Sequence, residues 1–151
     1  MNASSNAPGV DSPLVGAWAY RSFNDDPDLS TSFDDLEFGQ GTLVVEAAPV
    51  GILAGHIGGP GWRLELTGSI AYGDPFALRF QGAGVVGGDQ WIYDYVGYLV
   101  PNWPNGKNQV PALVGSTVRA IPHPGGDGGL HPAGVVASWY AVRMPAPPGR
   151  G

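Results

Sequence analysis

The sequence predicts an all-β fold, a single eight-stranded antiparallel up-and-down barrel. From Gly16 onward the chain consists of about eight short hydrophobic stretches separated by turn signals, a spacing typical of sandwiches and barrels. Its 25 Gly and 15 Pro sit in a chain that is 43% hydrophobic and 11% aromatic, so they read as turns and bulges rather than disorder. No segment sustains a helical period. Most connections are short enough for antiparallel pairing between neighbours, and closing the sheet removes exposed edges, which favours a barrel.

The expected organisation is an N-terminal segment over 1–14, a barrel domain over 15–144 and a tail over 145–151. The first strand spans 15–23. An acidic stretch over 24–37 follows, carrying Asp25, Asp26, Asp28, Asp34 and Asp35. It reads as a solvated loop with at most one helical turn, or alternatively as a lid over the barrel mouth. Strands over 38–47 and 51–57 come next. The fourth has the clearest period of two, with Trp62, Leu64, Leu66 and Ile70 set against Arg63, Glu65, Thr67 and Ser69, as in a strand with one buried and one wet face. Phe76, Leu78 and Phe80 repeat that alternation, and Gly87-Gly88 marks a tight hairpin.

The stretch over 90–100 is apolar or aromatic on both faces. Trp91, Tyr93 and Tyr95 share one side; Ile92, Asp94, Val96 and Tyr98 share the other. Either set could face inward, since a one-residue change of register exchanges them. The favoured arrangement sets Tyr20, Tyr93, Tyr95 and Trp139 inside. Apolar cover on both sides also leads us to expect a homo-oligomer. The seventh strand lies within 110–121, a Gly-rich loop spans 122–132, and the last strand spans 135–144.

Seven Lys and Arg against thirteen Asp and Glu give a net charge of −6, which argues against a nucleic-acid partner. The absence of Cys excludes disulfides, thiolate metal sites and a cysteine nucleophile. No apolar run approaches the roughly 20 residues of a membrane-spanning helix. The first residues have neither the basic start nor the apolar core of a signal peptide, so a cytoplasmic location is expected.

Few motifs carry chemistry. Gly82, Gly84 and Gly87 have the spacing of a phosphate-binding loop, but a strand rather than a helix follows, so hairpin geometry explains them. His123, Asp127 and His131 are metal-ligand types. Their Gly-rich tether reads as a flexible loop, and neither a metal nor a cofactor is expected. Asp94, flanked by Tyr93 and Tyr95, and Arg119 are the candidate catalytic residues. A partly desolvated carboxylate can serve as general acid or base, while a carboxylate paired to Arg119, Arg79 or a tyrosine is the structural alternative. The candidate ligand-binding residues are Tyr20, Trp91, Tyr93, Tyr95, Tyr98, Trp103, Trp139 and Tyr140. Flat apolar faces with polar tips suit an aromatic guest, and about half of the set is expected to be core or subunit interface.

Gly16-Ala17-Trp18 on the first strand, with Arg143 on the last, resembles the lipocalin and wider calycin pattern. That resemblance implies an indole packed near the closed barrel end beneath a basic side chain. The strand lengths and Gly-rich hairpins are also similar to the avidin and streptavidin family. Ala19-Tyr20-Arg21-Ser22 lacks the Asn and Ser pair with which avidins begin their biotin site, so biotin binding is not implied. Three functions stay open: a binding protein enclosing a small apolar or aromatic ligand, a cofactor-independent isomerase or cyclase in the same cavity, and a structural or interaction module with a filled barrel.

Overall fold

The computed structural model describes residues 13–101, 104–125 and 128–145. Eight strands close one antiparallel barrel. Seven of them follow one another in the chain: β1 (Gly16–Asn24), β2 (Glu37–Glu46), β3 (Ile52–Gly59), β4 (Trp62–Ala71), β5 (Ala77–Val86), β6 (Asp89–Leu99) and β7 (Ala112–Arg119). Two short strands outside the barrel come next, β8 (His123–Pro124) and β9 (Leu130–His131), before the eighth barrel strand, β10 (Val136–Arg143). Each barrel strand pairs with its neighbours in sequence, and β1 closes on β10 from Trp18↔Arg143 to Asn24↔Ala137. The up-and-down topology is therefore the one the sequence predicts. A single helical turn, α1 (Phe33–Leu36), sits in the acidic stretch and is capped by the Ser32 hydroxyl. No helix among the described residues is long and apolar enough to cross a membrane.

The Gly-rich loop differs from expectation, because β8 and β9 pair with each other as a hairpin. Trp103 and Asp127 lie outside the described residues.

Period-two patterning becomes the inside and outside of the barrel. Leu64, Leu66 and Ile70 of β4 are buried, and so are Leu78 and Phe80 of β5. The intervening Arg63, Glu65, Arg79 and Gln81 are exposed. Gly87 and Gly88, at φ of 58° and 88°, make the hairpin between β5 and β6, since two successive left-handed residues match the twist of the flanking strands. That turn sets the register Tyr93↔Gly82 and Tyr95↔Phe80, which places both tyrosines inside and Asp94 and Tyr98 outside.

The two barrel ends differ. One is filled by Trp18, Leu53, Leu78, Leu113 and Ala141. Leu14, expected from sequence to belong to the N-terminal segment, is also fully buried. Its carbonyl accepts a 2.9 Å hydrogen bond from Trp18 Nε1, so the packed domain begins before residue 15. The other end, where β1, β3, β5 and β7 finish, is hollow.

Candidate functional site

A cavity of about 570 Å³ occupies the hollow end. Aromatic residues form its floor. Tyr20 and Tyr95 line it, meeting edge-on at 6.4 Å; behind them Phe80 stacks on Tyr95 at 4.7 Å and Trp139 lies tilted against Tyr20 at 5.8 Å. Trp139 lies beneath the cavity lining and donates its indole N–H to the Ser116 carbonyl at 3.0 Å. Burial pushes the Tyr20 hydroxyl up to about 12 and the Tyr95 hydroxyl well above its ordinary range, so both remain neutral donors. The Thr117 hydroxyl, also at the floor, is buried beside Tyr95.

The polar rim is assembled from four elements. Arg119 ends β7 and shares the inward parity of Leu113 and Thr117. Its guanidinium lies 5.3 Å from the Phe38 ring centre and 5.7 Å from that of Tyr93. Nε donates to the Tyr93 hydroxyl at 2.9 Å, and Nη1 donates to the Pro132 carbonyl at 3.2 Å. Arg119 is only 5% exposed, yet the ion pairs among the described residues do not include it. Buried cations are ordinarily paired. This one faces a cavity.

The Tyr93 hydroxyl also lies 2.8 Å from Nε2 of His123. His123 Nδ1 is 2.9 Å from the Pro124 carbonyl, which can only accept, so Nδ1 carries the proton and Nε2 of the neutral ring is the acceptor. The Tyr93 proton therefore points at His123. Burial, reinforced by Arg119 and His131, holds the His123 imidazole below its ordinary range, against the opposing pull of the Pro124 hydrogen bond and Asp89. The ring is clamped from its face by Trp91, stacked at 4.0 Å and 13°, with His131 at 5.9 Å on the same hairpin. Burial also raises the Tyr93 hydroxyl, opposed by the hydrogen bond and charge of Arg119.

Of the residues singled out from sequence, Tyr20, Trp91, Tyr93, Tyr95 and Arg119 line this cavity. Asp94 does not reach it. The carboxylate lies on the outer face, where Gln81 Nε2 donates to it at 2.9 Å, because its parity is opposite to that of Tyr93 and Tyr95. Tyr98 is 54% exposed on the same outer face. Tyr140 is also outside, its ring stacked on Phe23 at 5.9 Å. Phe38, Trp62 and His123 line the cavity without having been singled out as ligand-binding residues. Phe38 and Trp62 stand at strand beginnings, where the parity of their own strands could have found them. His123 had no such signal, because only the fold of its hairpin brings it over the mouth. His56 lies apart on β3, with Nδ1 3.7 Å from Glu46.

The fold and site define a closed eight-stranded up-and-down barrel with one filled end and one hollow, polar-rimmed end. Comparison with protein-family models, curated proteins and solved structures gives no significant match.

Proposed function

We propose that this is a small-molecule binding protein that takes an aromatic or largely apolar ligand into the hollow end of the barrel, with an oxygen-bearing end of the ligand directed at Arg119. The observation that carries this reading is a cavity of about 570 Å³ walled mainly by rings and ending on a buried guanidinium with no carboxylate at ion-pair distance among the described residues. Its size falls within the roughly 300–1,000 Å³ of small-molecule sites, and few polar groups in an apolar wall is their usual makeup. Among the described residues Arg119 Nε and Nη1 are engaged, leaving Nη2 to offer a ligand a charge-assisted hydrogen bond. The general resemblance to calycin barrels agrees with this reading, and the net charge of −6 disfavours a polyanionic guest.

Trp62 and Trp91 line the cavity, so indole fluorescence reports occupancy. Titration with 2-naphthol, 2-naphthoate and naphthalene should give saturable quenching, with the two oxygenated compounds binding more tightly. Absence of saturable binding by all three would overturn the reading.

A further inference from the structure

We propose that Tyr93 and His123 form an acid–base pair that moves a proton on an enolisable carbonyl compound held in the cavity, so that the barrel is a cofactor-independent isomerase. This inference rests on the ligand-binding reading of the same cavity. Three ionisable side chains, Arg119, Tyr93 and His123, form one hydrogen-bonded row along the cavity wall, each less than a tenth exposed. The direction of the row is fixed at both ends. Arg119 can only donate, and the Pro124 carbonyl can only accept, so the Tyr93 proton is committed to His123 Nε2 while its oxygen faces a cation.

The chemistry follows from that polarity. The α C–H bond of a bound ketone breaks and its proton goes to the Tyr93 oxygen, as the Tyr93 proton passes to His123 Nε2. The C–H electron pair becomes the enolate, whose oxygen is stabilised by Nη2 of Arg119. Tyr93 ends neutral and His123 ends as imidazolium. In a β,γ-unsaturated ketone the enolate is a conjugated dienolate, and return of that proton through Tyr93 to its γ carbon isomerises the substrate; return to the α carbon exchanges it with solvent. Charge and atoms balance with no oxidant or cofactor. The charge-stabilising group is preorganised in a low-dielectric wall, where such stabilisation is strongest. The groups facing His123 are Arg119 from β7, Tyr93 and Asp89 from β6, and His131 from β9. Burial chiefly, with Arg119 and His131 adding to it against Asp89, holds the ring as the neutral acceptor that the step requires.

The test is hydrogen–deuterium exchange at the α carbons of 2-tetralone in D₂O, followed by proton NMR with the full chain. Wild type should exceed an equal concentration of imidazole by at least about 100-fold, the lower range for positioned acid–base groups. Tyr93→Phe and His123→Gln should each return the rate to the imidazole level while binding 2-tetralone within about threefold of wild type, a retention that a merely structural role would not produce. The wild-type rate should also fall on acidification, as His123 takes up a proton. A wild-type rate no greater than that of imidazole, with 2-tetralone bound, would overturn the proposal and leave the binding reading intact. Binding of naphthalene without binding of 2-tetralone would overturn it in the same way. If no aromatic probe binds, the binding reading fails and this inference falls with it.

Discussion

The Arg143 guanidinium lies 5.3 Å from the centre of the Trp18 ring, across the seam where the first and last strands pair. Nη1 and Nη2 each donate a 2.7 Å hydrogen bond, to the carbonyls of Pro13 and Val15. One cation thus covers the indole, ties the start of the domain to its end, and closes the filled end of the barrel. Gly16 makes this possible. At a φ of +138° it occupies a region that L side chains rarely adopt, and a Cβ there would come 2.9 Å from the Arg143 guanidinium.

Arg143→Met should therefore destabilise the fold by about 2–3 kcal/mol, from the lost cation–π contact and charge-assisted hydrogen bonds. Gly16→Ala should cost a similar amount, about 1–3 kcal/mol, through backbone strain and displacement of Arg143. Urea unfolding with an unchanged slope measures both. Midpoint shifts equivalent to less than about 0.5 kcal/mol, the usual range of surface substitutions, would show that the seam is held elsewhere.

This end of the barrel was the more legible in sequence, for a physical reason. Trp18 and Arg143 lie on terminal strands whose period-two patterning fixes parity, and closure of a meander brings terminal strands together. The alternation of β4 and β5 gave their inner faces directly. In β6 both faces are apolar, so patterning left a choice between Tyr93 with Tyr95 and Asp94 with Tyr98. The Gly87-Gly88 register settles it by setting Tyr95 opposite Phe80. The hollow end was legible only in part. Arg119 has the parity of Leu113, whereas His123 lies on a two-residue strand too short for any period. Its closeness to Tyr93 joins residues 30 apart in sequence and depends on how one loop folds.

The cavity itself gives a contrast between stability and binding. Arg119→Met keeps an unbranched side chain of similar reach and removes a buried cation, so its effect on stability should be small, within about 1–2 kcal/mol, because replacing buried charge with apolar volume is often neutral. Affinity for 2-naphthoate should fall by at least about tenfold, the scale of one charge-assisted hydrogen bond. Affinity for naphthalene should change little. Fluorescence titration of both compounds checks this, and a parallel loss for the two would mean that Arg119 supports the cavity wall rather than the ligand.

The two floor tyrosines predict an alkaline limit. Unfolded tyrosine ionises near 10, whereas burial pushes Tyr20 up to about 12 and Tyr95 well above 10 in the folded protein. Above 10 the unfolded chain loses protons that the folded chain keeps, so this stability is fully present below 10 and is lost as pH rises toward the folded values. Each group steepens the loss by up to about 1.4 kcal/mol per pH unit. Denaturation between about pH 9 and 11 should show this decline, with a shallower slope in Tyr95→Phe and in Tyr20→Phe. Equal slopes in wild type and both variants would contradict the assigned burial.

On the acid side the responsible group is His123, held below 6.5 chiefly by burial, with Arg119 and His131 adding to the depression and the Pro124 hydrogen bond and Asp89 opposing it. The unfolded histidine takes up a proton as pH falls through about 6.5, whereas the folded one resists until its lower value. Stability should therefore be constant above this window, decline as pH falls from 6.5 toward the folded value, and level off below it with respect to this group. Protonation also turns Nε2 from acceptor to donor, so the Tyr93 hydroxyl must reverse its hydrogen bond. The Trp91 indole, stacked at 4.0 Å on the same ring, should report that event as fluorescence quenching by the imidazolium. The quenching midpoint in wild type should lie below 6.5, and the transition should vanish in both His123→Gln and Trp91→Phe. A midpoint at or above 6.5, or a transition that survives His123→Gln, would mean that another group senses acid at the mouth of the barrel.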